Sequence, residues 1–512
     1  MDKTDETNDL PTLAEAKSNR RQFYQDLERL LKKHQPVEYA PYAARRLRQS
    51  WGQDKLMAQS PPHYLLHSIE ANCCYARGHR NVPVDYNRLA RVMNVYHKYP
   101  DPLQIMAAAT NIIHFGLALY REQMEIQRAF VREDLARTWE LFIADKPLPL
   151  LSREFATKYG LTFDDWLRLC IVTFAVANAD ERGCFTQQKV ASYEHLHVGP
   201  SGIESFFSQS SLKPDEIGQR YRNERNSVPL HCHSLVRSVF LEYPMIDFGG
   251  GRTLAPHPPL ILRHSSEGLY RLTKDLPSFD IEFGKAVEHY IGKVLGFCHD
   301  KSGLLTSKDL EDSQKGKTCD FVLDTPDVVV LVESKATSFG ARFFTETAIR
   351  QDGSTAKVAR GMEQLYATAY DIAQGDLRKL GIDHNKPILG IVVSFGELPF
   401  ANSDWYFENA FLARVADHLR APVYPSCTMT RRPMVISVPT LELMIQAANS
   451  THSSMLSLYD SKALENYVLT GDWDAYLRSK LQALGEQVEQ LPFLREDFEA
   501  FFETLGPPRV QE

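Results

Sequence analysis

The chain reads as a mixed α+β protein. A helical N-terminal region is followed by a mixed sheet flanked by helices, and then by a helical tail. Three observations predict this. Apolar residues recur at helical spacing through much of residues 12–225. From residue 279 the patterns alternate as α-β-β-α-β-α-β, the order of a sheet covered by helices. Beyond residue 440 helical spacing returns and ends in an acidic, aromatic stretch, 496–503. The expected division is 1–226 helical, 227–278 a β-rich connector, 279–440 the mixed α/β domain, and 441–512 the tail.

Residues 20–34 (RRQFYQDLERLLKKH) place Phe23, Leu27, Leu30 and Leu31 near one helix face. Residues 111–143 and 163–177 have the same texture, and no repeat of fixed period is evident. The texture changes near Ser227. Residues 244–272 are rich in Gly and Pro, with the short apolar runs of strands and turns. Gly249, Gly250 and Gly251 predict a turn and not a phosphate loop, since no GxGxxG pattern leads into a helix. Residues 283–295 form an amphipathic helix. Strands at 318–323 and 328–335 flank a turn at Asp324-Thr325-Pro326-Asp327. A helix at 356–373, a buried strand at 387–395, a helix at 408–419 and a short strand at 434–438 follow.

Composition narrows the function class. At 512 residues and 43% hydrophobic content the chain can bury a sizeable core. A net charge of −7 argues against indiscriminate nucleic-acid binding, while leaving room for a local basic groove or a partner that delivers substrate. There is no apolar run of about 18 residues, and the polar, acidic start lacks a secretory stretch. Eight cysteines without a CxxC pair fit a reducing compartment. The expectation is a cytoplasmic protein without membrane contact.

The segment CDFVLDTPDVVVLVESKA, 319–336, carries the chemistry. A turn at 324–327 sets Leu323 against Val328 and Asp320 against Leu331. Side chains alternate along a strand, so Leu331, Glu333 and Lys335 share the face of Asp320, and Val328, Val330 and Val332 enter the core. Two carboxylates and an ammonium then meet at one end of a hairpin. Close carboxylates repel, and one tends to hold a proton. A Mg²⁺ ion, with Mn²⁺ able to substitute, removes that conflict, because hard cations take oxygen ligands and Mg²⁺ commonly binds one or two carboxylates with waters and phosphate.

This arrangement resembles the core of the PD-(D/E)XK nuclease superfamily, to which type II restriction endonucleases, Holliday-junction resolvases and many phage-defence nucleases belong. The resemblance covers residues 279–438, about a third of the chain, with Cys319 in place of the proline. It implies a restriction-endonuclease-like α/β sandwich and a Mg²⁺-dependent endonuclease that hydrolyses phosphodiester bonds, of DNA by resemblance, in restriction or anti-phage defence. Asp320, Glu333 and Lys335 would be catalytic, with Asp320 and Glu333 on the metal. Members often carry a glutamate on the helix before the hairpin. Glu288 supplies it as a third ligand, with Glu282 as rival. Many also carry a Gln or basic residue on the helix after the motif. Gln364 fits, with Arg360 and Lys357 on the same face. A partner protein or a second copy of the chain could control the activity. An RNA nuclease of the same fold and a non-catalytic nucleic-acid-binding scaffold remain as alternatives; the scaffold would need no metal.

Weaker motifs have bland readings. Glu15-Ala16-Lys17 and Asp460-Ser461-Lys462 repeat the tripeptide in helical context. His231-Cys232-His233 has poor zinc spacing and no second cluster. Cys73-Cys74 reads as buried or inert. Gly316-Lys317-Thr318 is no Walker A loop, because Glu311 stands where its first glycine belongs and a strand follows.

Overall fold

A computed structural model describes residues 13–77, 82–99, 126, 132–193, 196–230, 233, 236–299, 301–311, 318–338, 352–398, 401–415, 429, 431–464, 473–485, 488 and 491–504. The fold is mixed α+β, mostly helical, with two small mixed sheets. Two compact units divide the chain. The first takes residues 1–131, 152–275 and 504–512, and the second takes 132–151 and 276–503. Among the described residues no helix is long and apolar enough to cross a membrane.

In the first unit the predicted apolar face forms the start of a helical core. Phe23, Leu27 and Leu31 on the helix Leu13–Leu31 are fully buried, with Leu30 partly buried against the same cluster. The Asn72 side-chain amide donates to the carbonyls of Leu31 (3.2 Å) and His34 (3.0 Å), where that helix ends. Asp85 caps the helix Tyr86–Lys98 by accepting from the Arg88 backbone N–H at 2.8 Å. A capping box of Thr162 and Asp165 opens Phe163–Asn178.

The span expected to be wholly helical contains two short strands, β1 (Cys184–Thr186) and β2 (Ser211–Leu212). They are too brief to show alternation. With β3 (Met245–Asp247) and β4 (Arg252–Leu254) they form a sheet of order β1-β4-β3-β2. The β3–β4 turn holds Gly249, Gly250 and Gly251 at φ of 80°, 61° and 74°, the left-handed region that glycine enters without strain. Residues 227–275 are thus not a connector between domains. Their strands complete a sheet inside the first unit.

The second unit is built on a sheet of order β5-β6-β7-β8-β9: β5 (Gly303–Thr306), β6 (Phe321–Asp324), β7 (Val329–Lys335), β8 (Ile388–Ser394) and β9 (Met434–Ser437). The first two pairings are antiparallel and the last two parallel. Strand β5 was not foreseen; its four residues are all half-buried and show no alternation. The helix expected at 408–419 is instead a chain of short turns from Asp404 to Arg414, and 416–419 lie outside the described residues. So do 111–125 and 127–131 of the helix expected at 111–143; Arg132–Phe142 is helical and belongs to this unit.

The hairpin register differs from the expected one by two residues. Leu323 pairs with Val330 and Phe321 with Val332, and the turn runs over 325–328. Thr325 accounts for the difference. Its backbone N–H donates to the Val328 carbonyl at 3.1 Å and its hydroxyl to the same oxygen at 2.7 Å, closing a later turn. A shift of two residues keeps every side chain on its expected face.

Helices cover both faces of the sheet. On the helix Phe279–Gly296, Gly292 lies over the Phe321 ring, on the Val332 face. On the helix Gly353–Gln374, Gly361 lies over Glu333, Lys335 and Val392, on the other face. Val329, Val330, Leu331 and Val332 are therefore fully buried on both sides of the central strand β7. The region expected as a separate tail, 441–512, belongs to this unit as far as residue 503. Its helix Val438–Thr451 follows β9 directly and buries Leu441, Met444 and Ile445.

A buried ion pair ties three helices of this unit. Arg137 donates to both carboxylate oxygens of Glu442 at 2.6 Å, and the Tyr290 hydroxyl donates to the same carboxylate at 2.7 Å. Removing one partner leaves the other charge buried and incompletely matched, which costs about 3–5 kcal/mol. Glu442→Ala is expected to lower unfolding free energy by that amount in urea titration. A loss under about 1 kcal/mol would show that the pair contributes no more than a surface ion pair.

Candidate active site

The strand ladder assembles the three motif residues. One step beyond the Phe321–Val332 pair, the backbone N–H of Asp320 donates to Glu333 Oε2 at 3.1 Å. Asp320 Oδ2 accepts from the backbone N–H of Ser334 at 2.7 Å and from its hydroxyl. Lys335 Nζ donates to Glu333 Oε1 and to Gln364 Oε1, the latter at 3.1 Å. Gln364 Nε2 in turn donates to the Thr318 carbonyl at 2.9 Å. The helix after the motif thus holds the lysine through Gln364.

Electrostatics at the site are strained toward neutrality. Glu333 is only 1% exposed. Burial first, and then the neighbouring Asp320 carboxylate, push its pKa up to about 8, while Lys335 opposes the shift. Glu288 on the pre-hairpin helix is half-buried and also shifted up, by burial and then by Asp320, with Lys285, Lys308 and Lys335 opposing. Glu288 therefore feels the site's field. Among the described residues, however, no three His, Cys, Asp or Glu side chains are gathered as a ligand set for a metal ion. The expected three-carboxylate set is not assembled; the direct partners are Asp320 and Glu333. Two carboxylates do fit Mg²⁺, which is commonly held by one or two carboxylates, with waters and substrate phosphate completing the shell.

The rival Glu282 has another task. Its carboxylate accepts from the backbone N–H groups of Leu150 (3.1 Å) and Leu151 (2.8 Å), at the start of the helix Pro149–Tyr159. Lys357 pairs with Asp280 at 3.6 Å, and Arg360 is exposed. Of the weaker motifs, Cys73 is buried, and that burial pushes its thiol pKa up. His231, Cys232, Gly316 and Lys317 lie outside the described residues.

Sequence reading missed two residues that shape the site. Ser334, the variable position of the tripeptide, clamps Asp320 with two hydrogen bonds. Gly361 admits the site side chains to the helix surface; a Cβ there would stand 3.2 Å from Glu333 Cγ and from Lys335 Cε. A glycine inside a helical pattern, one turn before Gln364, was the available signal.

The raised Glu333 pKa has a testable sign. A carboxyl whose folded pKa exceeds its unfolded value of about 4.5 contributes stability below that pH and loses it as pH rises through about 8. In EDTA the melting midpoint of the wild type is expected to fall between pH 6 and 9 by more than that of Glu333→Gln. Parallel curves for the two proteins would show that Glu333 titrates normally.

Comparison of the chain with protein-family models, with curated proteins and with solved structures finds no match.

Proposed function

We propose that the second unit is a metal-dependent nuclease of the PD-(D/E)XK type that hydrolyses phosphodiester bonds, with DNA as its substrate. The observation that carries this reading is the meeting of Asp320, Glu333 and Lys335 on one face of β6 and β7, with Lys335 held between Glu333 and Gln364. The mixed five-stranded sheet with helices on both faces is the setting expected of a restriction-endonuclease-like sandwich.

Asp320 and Glu333 would hold Mg²⁺ or Mn²⁺. Bound there, the ion supplies Lewis acidity, which offsets phosphate charge and makes water at the site more acidic. The remaining roles belong to the chain. Ser334 occupies one Asp320 oxygen and leaves Oδ1 turned to other partners. Lys335 offers an ammonium to the charge that develops on the phosphate. Gln364 keeps that ammonium from folding wholly onto Glu333. Glu288 adds negative potential near Asp320 and so favours a cation there. A role in restriction or anti-phage defence, and control by a partner protein or a second copy, rest on the resemblance alone.

The test is incubation of the full chain with a pool of duplex DNA, single-stranded DNA and RNA in Mg²⁺ or EDTA. Metal-dependent loss of DNA is the expected result. Loss of RNA alone would make this an RNA nuclease of the same chemistry. Binding without cleavage, equal in Mg²⁺ and EDTA, would make the unit a scaffold and overturn the proposal.

A further inference from the structure

The first unit contains a cavity that the nuclease reading does not use. Its walls come from the helices Leu13–Leu31, Pro62–Tyr75, Tyr86–Lys98 and Pro214–Asn226, and from the residues just after the last of these. The void measures about 620 Å³, counting the solvent at its mouth.

The lining combines features that packing alone does not call for. Two guanidiniums, Arg20 and Arg225, are more than nine-tenths buried and stand against a single buried carboxylate, Glu70. Glu70 is already engaged. It accepts from the Ser238 hydroxyl (2.5 Å) and the Val239 backbone N–H (2.8 Å), and its nearest Arg225 nitrogen is 3.9 Å away. The Arg225 guanidinium stacks on the Tyr221 ring at 3.7 Å, and its Nε has no hydrogen-bond partner. The cavity therefore keeps an excess of positive charge, which a buried anion would offset.

Planar aromatic faces stand beside that charge. Tyr64 and Tyr96 stack with ring centroids 4.7 Å apart, and Phe23 and Tyr99 complete the wall. His63 is the decisive residue. It lines the cavity and is 7% exposed, yet neither ring nitrogen has a hydrogen-bond partner. An unpaired buried polar group costs about 1–3 kcal/mol. Burial holds its pKa down at about 3, so the ring is neutral and offers one donor and one acceptor. His67, its neighbour one turn on, is by contrast paired with the hydroxyls of Tyr96 and Tyr221.

We infer that this cavity binds a nucleoside 5′-monophosphate, with the phosphate on the arginine side, the base against the tyrosine wall and the base edge read by His63. Each feature matches one part of that ligand: guanidinium for phosphate, aromatic face for base, and a neutral donor–acceptor ring for the base edge. Inorganic phosphate satisfies only the first part and a nucleoside only the other two. The inference concerns the first unit alone and does not depend on the second unit being a nuclease.

The test is isothermal titration of the full chain with AMP, GMP, CMP and UMP, and with adenosine, guanosine, cytidine, uridine and inorganic phosphate as separate probes. At least one monophosphate is expected to bind with a Kd below about 100 μM, and its nucleoside and phosphate each at least tenfold more weakly, or about 1.4 kcal/mol per tenfold. His63→Phe keeps the ring volume and removes the donor and acceptor, and should weaken the best monophosphate at least tenfold. Tyr64→Leu removes the stacking face and serves as the second variant, should His63→Phe fail to fold. No binding of any monophosphate at 1 mM would overturn the inference. So would phosphate binding as tightly as the monophosphates, or unchanged affinity in a folded variant.

Discussion

Glu333→Ala and Asp320→Ala are each expected to abolish cleavage while the fold persists. Glu333 sits at the end of β7, 1% exposed, with Lys335 and the Asp320 backbone as its polar contacts. Its charge is disfavoured by burial and by Asp320, so its removal relieves a cost while deleting an oxygen donor. Asp320→Ala differs in one respect. It also frees the Ser334 N–H and hydroxyl, at about 0.5–1.5 kcal/mol per hydrogen bond. Asp320→Asn keeps an acceptor for Ser334 and separates that structural loss from the catalytic one. Gel assays of cleavage and melting curves with and without Mg²⁺ check this. Mg²⁺ should raise the midpoint of the wild type and leave both alanine variants unmoved. Cleavage at the wild-type rate by either variant would remove that residue from the site.

Lys335→Met is expected to lower turnover by on the order of a hundredfold or more, the usual scale for lost electrostatic stabilisation. Methionine keeps an apolar stem against Gly361 and removes only the ammonium. A group that acts in the transition state affects rate and leaves affinity nearly unchanged. Affinity measured in Ca²⁺, where turnover stops, should therefore change less than about tenfold, or about 1.4 kcal/mol. A loss of affinity equal to the loss of rate would make Lys335 a phosphate anchor. Full retained activity would place it outside the chemistry. Since Gln364 holds Lys335 at 3.1 Å, Gln364→Ala should show a weaker loss of the same kind.

Asp320, Glu333 and Lys335 were legible because alternation along a strand is strict, and because a turn signal lay between two apolar runs. The same rule kept their face correct when the register proved two residues different. That register itself was not legible. Asp324-Thr325-Pro326-Asp327 permits either turn, and the Thr325 hydroxyl decides between them through the Val328 carbonyl. The third carboxylate was legible as a candidate only; Glu288 sits in the site's field without joining a ligand set. Strands β1, β2 and β5 were hidden because two to four residues carry no period. The Arg137–Glu442 pair was hidden because its members lie 305 positions apart. For the same reason the domain boundaries read from texture missed the helix Arg132–Phe142, which that pair holds in the second unit.

The central claim is that Asp320 and Glu333 hold the metal ion, and it can be tested without a substrate. Fe²⁺ in place of Mg²⁺, with ascorbate and peroxide, generates hydroxyl radicals that cut the backbone near the bound ion. Mass spectrometry of the full chain should locate breaks close to residues 320 and 333. These should be suppressed by excess Mg²⁺ and absent in Glu333→Gln. Breaks elsewhere only, or the same breaks in Glu333→Gln, would contradict the claim.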